Sequence, residues 1–247
     1  MELIDLSHII YLMEKDGQTV DYDYLPSEQY TEAVTLKELH DELQKRRMLE
    51  SVAAASAAEK NDVPVKKLAV LFPGIGYTLN KPLLYYSARL ARQHGYEILS
   101  VPYTGFPENV RGDARKMKEA FSIALSQAEN ILQNVDWDSF TDILFLSKSV
   151  GTVVSTVFAK RHHLKVRNIL FTPLAETFSL PTGTAIAFHG TADPWADTKQ
   201  LQQLSEERKV PLFLTEHADH SLETGDVQTD LQILEAVLKQ TEHFLSL

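Results

Sequence analysis

Six short apolar runs divide the chain after Lys66, and longer stretches with helical spacing of apolar residues lie between them. The runs cover residues 67–72, 97–102, 142–147, 166–171, 184–189 and 210–215. Several are almost continuously apolar, which is typical of strands buried on both faces. Helices are predicted near residues 80–94, 112–134, 150–162, 195–208 and 227–245. This alternation predicts an α/β domain with a doubly wound, mainly parallel sheet of about six or more strands.

Residues 1–65 do not follow this rhythm, so we assign them to an N-terminal extension and residues 66–247 to the α/β domain. Apolar positions between Leu3 and Met13 predict a helix that ends at Asp16-Gly17, and a second helix is predicted near 35–60. A strand pair over 3–12 and 18–25 is the alternative. The apolar stripe of the second helix needs a partner surface, so the extension is expected to form a lid or a homodimer contact.

Composition narrows the classes of partner. The chain has 247 residues, of which 44% are hydrophobic, and a net charge of −10, which disfavours nucleic acid and anionic membranes as partners. Cysteine is absent, so disulfides, thiol catalysis and cysteine metal sites are excluded. The start of the sequence lacks the features of a signal peptide, and no apolar run approaches about 20 residues. A cytoplasmic protein without a membrane partner is therefore expected.

Chemically distinctive segments follow four of the six predicted strands. They are Pro73-Gly74-Ile75-Gly76, Ser147-Lys148-Ser149-Val150-Gly151, His189-Gly190-Thr191-Ala192-Asp193 and Asp219-His220-Ser221. Parallel strands end at one edge of a sheet, so these segments should converge there. A tight strand-to-helix turn at Ser149 would expose its hydroxyl beside the N–H groups of a helix N-terminus. The alternative for Ser149 is an ordinary helix N-cap.

With these motifs, residues 66–247 resemble the α/β-hydrolase superfamily, and in particular its small esterases, thioesterases and dienelactone-hydrolase-like members. The family's catalytic residues occur in the chain order Ser, Asp, His. The resemblance implies that Ser149 is the nucleophile, Asp193 the orienting acid and His220 the general base. It also implies an oxyanion hole formed by the backbone N–H groups of Ile75 and Val150.

The match departs from the family pattern at Ser147, where glycine is usual. We expect Ser147 to be a small packing residue and Lys148 to lie at the rim or surface. Glu176 is the alternative acid, because it follows the fourth predicted strand, and His217 competes with His220 as the base. Tyr77 and Trp195 are candidate pocket residues.

Other residues near the site have less specific expected roles. Asp219 is expected to hold its loop by hydrogen bonds, and His189 to pack or hydrogen-bond beneath the acid loop. Asp193 could instead cap a helix that starts near Pro194. A metal site at His217, Asp219 and His220 lacks a further ligand cluster.

Two further features bear on function. The Gly74-x-Gly76 turn resembles part of a dinucleotide fingerprint, but Leu79 occupies the position of the third glycine, so no cofactor is implied. Only residues 172–183 separate the fourth and fifth strands, which is too short for a cap domain and implies an open site.

The expected function is a serine hydrolase that cleaves a small carboxylic ester or thioester through an acyl-enzyme on Ser149. The alternative is a hydrolase-fold protein that binds a ligand or partner without turnover.

Overall fold

Six parallel strands form one sheet in the part of the chain that the computed structural model describes, residues 65–110 and 113–247. The strands are β1 (Lys67–Phe72), β2 (Tyr96–Ser100), β3 (Asp142–Lys148), β4 (Arg167–Phe171), β5 (Thr184–Gly190) and β6 (Leu212–Thr215). Their order is β2-β1-β3-β4-β5-β6. The predicted doubly wound parallel sheet is therefore confirmed. Residues 1–64 lie outside the described residues, and with them the helices, strand pair, lid and dimer contact predicted for the extension over 1–65.

The register of the sheet brings the predicted site segments to one edge. Phe72 at the end of β1 pairs with Ser147, and Lys148 at the end of β3 pairs with Phe171. At the other side of the site, Gly190 at the end of β5 pairs with Thr215 of β6. The loops after β1, β3, β5 and β6 therefore leave the sheet at the same edge, formed by the C-terminal ends of the strands.

Helices cover both faces of the sheet. They are α1 (Pro82–Gln93), α2 (Ala114–Leu132), α3 (Val150–Arg161), α4 (Thr198–Arg208) and α5 (Val227–Leu245), with short 3-10 helices at Trp137–Ser139 and Ala175–Ser179. Alternate strand residues face opposite layers, as the period of a strand requires. Leu71, Leu146 and Phe171 belong to the core beneath α1 and α5. Phe72 and Phe145 belong to the core beneath α2 and α3.

Helix α4 begins later than the sequence predicts, at Thr198 instead of near residue 195. Asp197 caps this helix, because its carboxylate accepts a hydrogen bond from the backbone N–H of Gln200 at 2.8 Å. Residues 193–197 are therefore a loop between β5 and α4. Asp193 lies at the start of this loop and is not the helix cap.

Gly151 allows α3 to pass close to the end of β1. A Cβ atom at this position would lie 2.2 Å from the carbonyl oxygen of Phe72 and 2.5 Å from that of Pro73. These backbone atoms cannot move as a side chain would, so Gly151→Ala should lower the free energy of unfolding by about 3 kcal/mol.

Urea unfolding checks this expectation, with Gly105→Ala as the matched control. Gly105 has a positive φ of 74° and open space around it, so the control has backbone strain without a collision. The control should lower the free energy of unfolding by about 1–2 kcal/mol. An equal or smaller loss at Gly151 would contradict the packing argument.

Candidate active site

Ser149 lies at a sharp turn between β3 and α3. Its backbone has φ 56° and ψ −125°, a conformation that costs energy in a residue with a side chain. The N–H of Ser149 donates to the carbonyl oxygen of Phe171 at 3.0 Å, which ties the turn to β4. Gly74 leaves room for the side chain of Ser149, because a Cβ atom at position 74 would lie 3.1 Å from the Cβ of Ser149. Ser147 is fully buried in β3, as expected of a small packing residue.

The hydroxyl of Ser149 joins a continuous chain of hydrogen bonds. Its Oγ lies 2.7 Å from Nε2 of His220, and Nδ1 of His220 lies 2.7 Å from Oδ2 of Asp193. Because a carboxylate only accepts, Nδ1 carries the proton and donates to Asp193, while Nε2 accepts from the serine hydroxyl. Ser149 occupies the N-cap position of α3, but its side chain makes no capping hydrogen bond.

The carboxylate of Asp193 is held in place from both sides. The side chain is fully buried, and its Oδ1 accepts a hydrogen bond from the backbone N–H of Trp195 at 2.8 Å. The ring of His189 packs beside it, with Nδ1 3.6 Å from Oδ2 of Asp193 and Nε2 3.0 Å from the hydroxyl of Thr198. His189 is thus buried beneath the acid loop, as the sequence predicts.

Two backbone N–H groups beside Ser149 have no acceptor among the described residues. In the described ranges, neither Ile75 nor Val150 donates a backbone hydrogen bond. Val150 is the first residue of α3, where an N–H has no partner within the helix. Both residues line one cavity of about 520 Å³ together with Ser149 and His220. Both residues therefore border the space beside the Ser149 hydroxyl.

The chain was compared with known proteins by sequence and by structure. No family model and no curated protein sequence matches the chain. Solved structures do match. A protein of unknown function from Agrobacterium tumefaciens, described as a candidate α/β hydrolase, aligns with a TM-score of 0.52 and 15% identity, covering 74% of this chain and 84% of that one. An alpha-beta serine hydrolase homologue from Coxiella burnetii aligns with a TM-score of 0.51 and 16% identity over 71% and 84%.

An esterase from Pyrococcus furiosus also aligns, with a TM-score of 0.51 and 15% identity, over 75% of this chain and 84% of that one. The chain has the α/β-hydrolase fold. At these identities the similarity concerns the fold, so the chemistry of the site must be argued from its own residues.

In this α/β-hydrolase fold, the alternative acid and base lie away from the hydrogen-bonded chain. Glu176 is exposed on the 3-10 helix after β4, and Nδ1 of His220 is bonded to Asp193 instead. His217 is exposed, and its backbone N–H donates to the hydroxyl of Thr191 at 2.9 Å. Asp219 holds the loop, as expected, because its Oδ1 accepts from the backbone N–H of Ser221 at 2.6 Å.

The acid loop and the histidine loop of the hydrolase fold touch at Gly190. A Cβ at this position would lie 2.2 Å from the carbonyl oxygen of Ala218. The backbone N–H of Ala192 also donates to this carbonyl at 2.9 Å. This close approach sets the separation between Asp193 and His220.

Tyr77 and Trp195, the predicted pocket residues, both line the cavity. The ring of Trp195 lies 5.6 Å from that of His220, measured between centroids. Tyr77 is buried, and its hydroxyl accepts a hydrogen bond from the backbone N–H of Leu83 at 3.1 Å. This bond fixes the ring at the cavity wall, where it faces Lys148.

Lys148 contradicts the expectation of a rim or surface position, because only 1% of the residue is exposed. Its Nζ lies 5.0 Å from the centre of the Tyr77 ring. Burial lowers the pKa of Lys148 to about 7, although the charges of Asp193, Asp219 and Glu223 favour the ammonium form. The signal in the sequence is its position: it is the last residue of a strand that is buried on both faces.

Burial also lowers the pKa of His220 below its ordinary value of 6.5. The hydrogen bond that Nδ1 of His220 donates to Asp193 opposes this shift, whereas the charge of Lys148 reinforces it. The net effect favours the neutral imidazole, which is the form that can accept a proton from Ser149.

The described residues contain no group of three or more His, Cys, Asp or Glu side chains placed to hold a metal ion. Both ring nitrogens of His220 are engaged by Ser149 and Asp193, so the imidazole has no nitrogen left for a metal. Within the same ranges, no helix is long and apolar enough to cross a bilayer.

Proposed function

We propose that this chain is a serine hydrolase that cleaves small carboxylic esters or thioesters through an acyl-enzyme on Ser149. The observation that carries the proposal is the unbroken hydrogen-bond chain from Asp193 through His220 to Ser149. Beside it lie the N–H groups of Ile75 and Val150, which have no acceptor in residues 65–110 and 113–247. A protein that only binds ligands has no physical need of this alignment. The names of the matching structures, a serine hydrolase homologue and an esterase, support the same class.

The proposed reaction starts with attack by Ser149. The serine hydroxyl is a poor nucleophile at neutral pH, so Nε2 of His220 takes its proton as the Oγ–carbon bond forms. The negative charge that develops on the carbonyl oxygen accepts hydrogen bonds from the N–H groups of Ile75 and Val150. Losing one such donor typically costs about 2.7–4 kcal/mol of transition-state stabilisation.

Collapse of the tetrahedral intermediate releases the alcohol or thiol. His220 now returns its proton to the leaving atom, and Ser149 keeps the acyl group. Water then attacks the acyl-enzyme while Nε2 of His220 takes its proton. The bond between the acyl carbon and Oγ breaks, His220 returns the proton to Oγ of Ser149, and the carboxylic acid leaves. Throughout, Asp193 holds the tautomer of His220 and stabilises the imidazolium that forms in each half-reaction.

A panel of short-chain p-nitrophenyl esters and matching acyl thioesters tests the proposal. We expect saturable turnover, and a burst of p-nitrophenol where hydrolysis of the acyl-enzyme is the slower step. The Ser147→Ala variant should retain turnover, because Ser147 is buried in β3 and outside the hydrogen-bond chain. No turnover of any member above the Ser149→Ala background would favour the binding protein without turnover.

The pH dependence gives a separate expectation. His220 must be neutral to act as the base, and its pKa is lowered, so kcat/KM should rise with pH through a midpoint below 6.5. At pH 6 more than about a quarter of the plateau value should therefore remain. A neutral ester should be used, so that the charge of Lys148 does not change substrate binding. A midpoint at or above 6.5 would contradict the effect of burial.

We also propose that the extension over residues 1–65 acts as a lid over this site or as a homodimer contact. Deletion of residues 1–62, followed by measurement of oligomer size and ester turnover, separates the two. A dimer contact requires a change of size, and a lid requires a change of turnover. If neither changes, both proposals fail.

A further inference from the structure

Lys148 is a buried lysine whose amine has no hydrogen-bond acceptor in the part of the chain that the structure describes. Within residues 65–110 and 113–247, no carboxylate and no carbonyl oxygen accepts a hydrogen bond from its Nζ, and its contact there is the face of Tyr77. Buried charges are normally paired, because removing a charge from water is costly. A lysine that served only to fill space could be replaced by an apolar side chain of the same length. An ammonium in this place therefore calls for an anionic partner.

The place of Lys148 indicates where that partner would bind. The side chain lines the same cavity as Ser149, His220 and the N–H groups of Ile75 and Val150. In the described lining, Lys148 is the single lysine or arginine. An anion that reaches this ammonium therefore occupies the same cavity as the reacting ester.

The carboxylates nearby are committed to other contacts. Asp193 binds His220 and the backbone of Trp195, and Asp219 accepts hydrogen bonds from its own loop. Glu223 is exposed, and its charge acts on Lys148 without a hydrogen bond. These charges are close enough to favour an ammonium but leave its hydrogen-bonding positions open to a ligand.

We propose that Lys148 binds a carboxylate in the acyl part of the substrate, so that this hydrolase cleaves half-esters or half-thioesters of dicarboxylic acids. The inference rests on the proposed function, since it names the substrate class of the same site. Lys148 directly precedes Ser149, and it stays beside the acyl group after the leaving group has departed. The acyl part is therefore the part of the substrate that Lys148 can recognise in both half-reactions.

Burial prepares Lys148 for such a ligand. Its pKa near 7 means that the empty site can hold a neutral amine at neutral pH, which avoids an unpaired buried charge. A bound carboxylate supplies the hydrogen-bond acceptor that the amine lacks among the described residues and favours protonation. The charge-assisted hydrogen bond then forms in a cavity that already has a cation-binding aromatic wall at Tyr77.

The test compares pairs of ethyl esters by release of ethanol. Monoethyl succinate, glutarate and adipate are each measured against the ester in which an isopropyl group replaces the carboxylate, which keeps the shape but removes the charge. We expect wild type to prefer one of the charged esters in kcat/KM. In Lys148→Met this preference should fall about tenfold or more, through loss on the charged ester, because a hydrogen bond between charged groups is lost.

Two controls separate this inference from the proposed function and from general damage. Lys199→Met, which alters an exposed lysine on α4, should keep the wild-type preference. Labelling of wild type and Lys148→Met by a fluorophosphonate reports the nucleophile independently of substrate charge. Labelled wild type that prefers the neutral esters overturns the role of Lys148 and leaves the hydrolase intact, whether or not Lys148→Met folds. If Lys148→Met keeps the wild-type preference for the charged ester, the role of Lys148 is likewise overturned and the hydrolase assignment stands.

Two other outcomes are informative. A preference for a carboxylate in the alcohol part, measured with 3-acetoxypropanoate against isopentyl acetate, overturns the assignment to the acyl part. Wild type that neither labels nor hydrolyses any ester removes the proposed function, and this inference with it.

Discussion

Replacement of His220 by alanine is expected to lower kcat by about 10⁶-fold, as removal of the base in other serine hydrolases does. The imidazole is the group within 2.7 Å of the Ser149 hydroxyl, so the variant has no base to take the proton as Ser149 attacks. Activity that remains would come from the oxyanion donors and substrate binding. The measurement is kcat for the best ester of the panel under saturating substrate.

His217→Ala is the matched control for this loss. His217 lies on the same loop, but its side chain is exposed. Its backbone N–H, not its ring, donates a hydrogen bond to the hydroxyl of Thr191. The control should therefore retain kcat. If His217→Ala loses activity and His220→Ala keeps it, the base has been assigned to the wrong histidine.

Asp193→Asn is expected to lower kcat by about 10⁴-fold while the protein stays folded. The carboxylate now accepts from Nδ1 of His220 and from the backbone N–H of Trp195. An amide at this position can donate a hydrogen bond to Nδ1, which favours the tautomer that carries the proton on Nε2. That tautomer cannot accept a proton from Ser149. The measurement is kcat at a pH on the plateau of the wild-type profile.

Glu176→Gln is the control that tests the other candidate acid. Glu176 is exposed on the 3-10 helix after β4, and it makes no hydrogen bond to His220 in the described part of the chain. Its substitution should leave kcat unchanged. A large loss in Glu176→Gln, with little effect of Asp193→Asn, would transfer the role of the acid to Glu176.

Much of the fold could be predicted from the sequence because the strands are buried on both faces. Five apolar residues in succession, Leu68 to Phe72, mark β1 without reference to any partner strand. The order of the strands, with β1 between β2 and β3, depends on contacts between distant segments and has no local signal. The start of α4 was predicted too early, because the turn that binds Trp195 to Asp193 precedes the cap at Asp197.

The catalytic candidates of the site could be predicted from local sequence, whereas the burial of Lys148 depends on contacts between distant segments. Ser149, Asp193 and His220 could be selected because each follows a strand and the ends of parallel strands meet. The burial of Lys148 was missed, since lysine is among the residues least often buried. Its aromatic neighbour, Tyr77, comes from the loop after β1 and reaches Lys148 only through the pairing of β1 with β3.

The most direct test of the central claim is covalent labelling by a fluorophosphonate, followed by trypsin digestion and mass spectrometry. Trypsin cleaves after Lys148, so Ser147 and Ser149 fall in different peptides, and Ser149 begins the peptide that runs to Lys160. We expect one adduct per chain, located on Ser149, which is lost in Ser149→Ala and retained in Ser147→Ala. Absence of the adduct in wild type, or equal labelling of Ser149→Ala, would contradict the claim that Ser149 is the nucleophile.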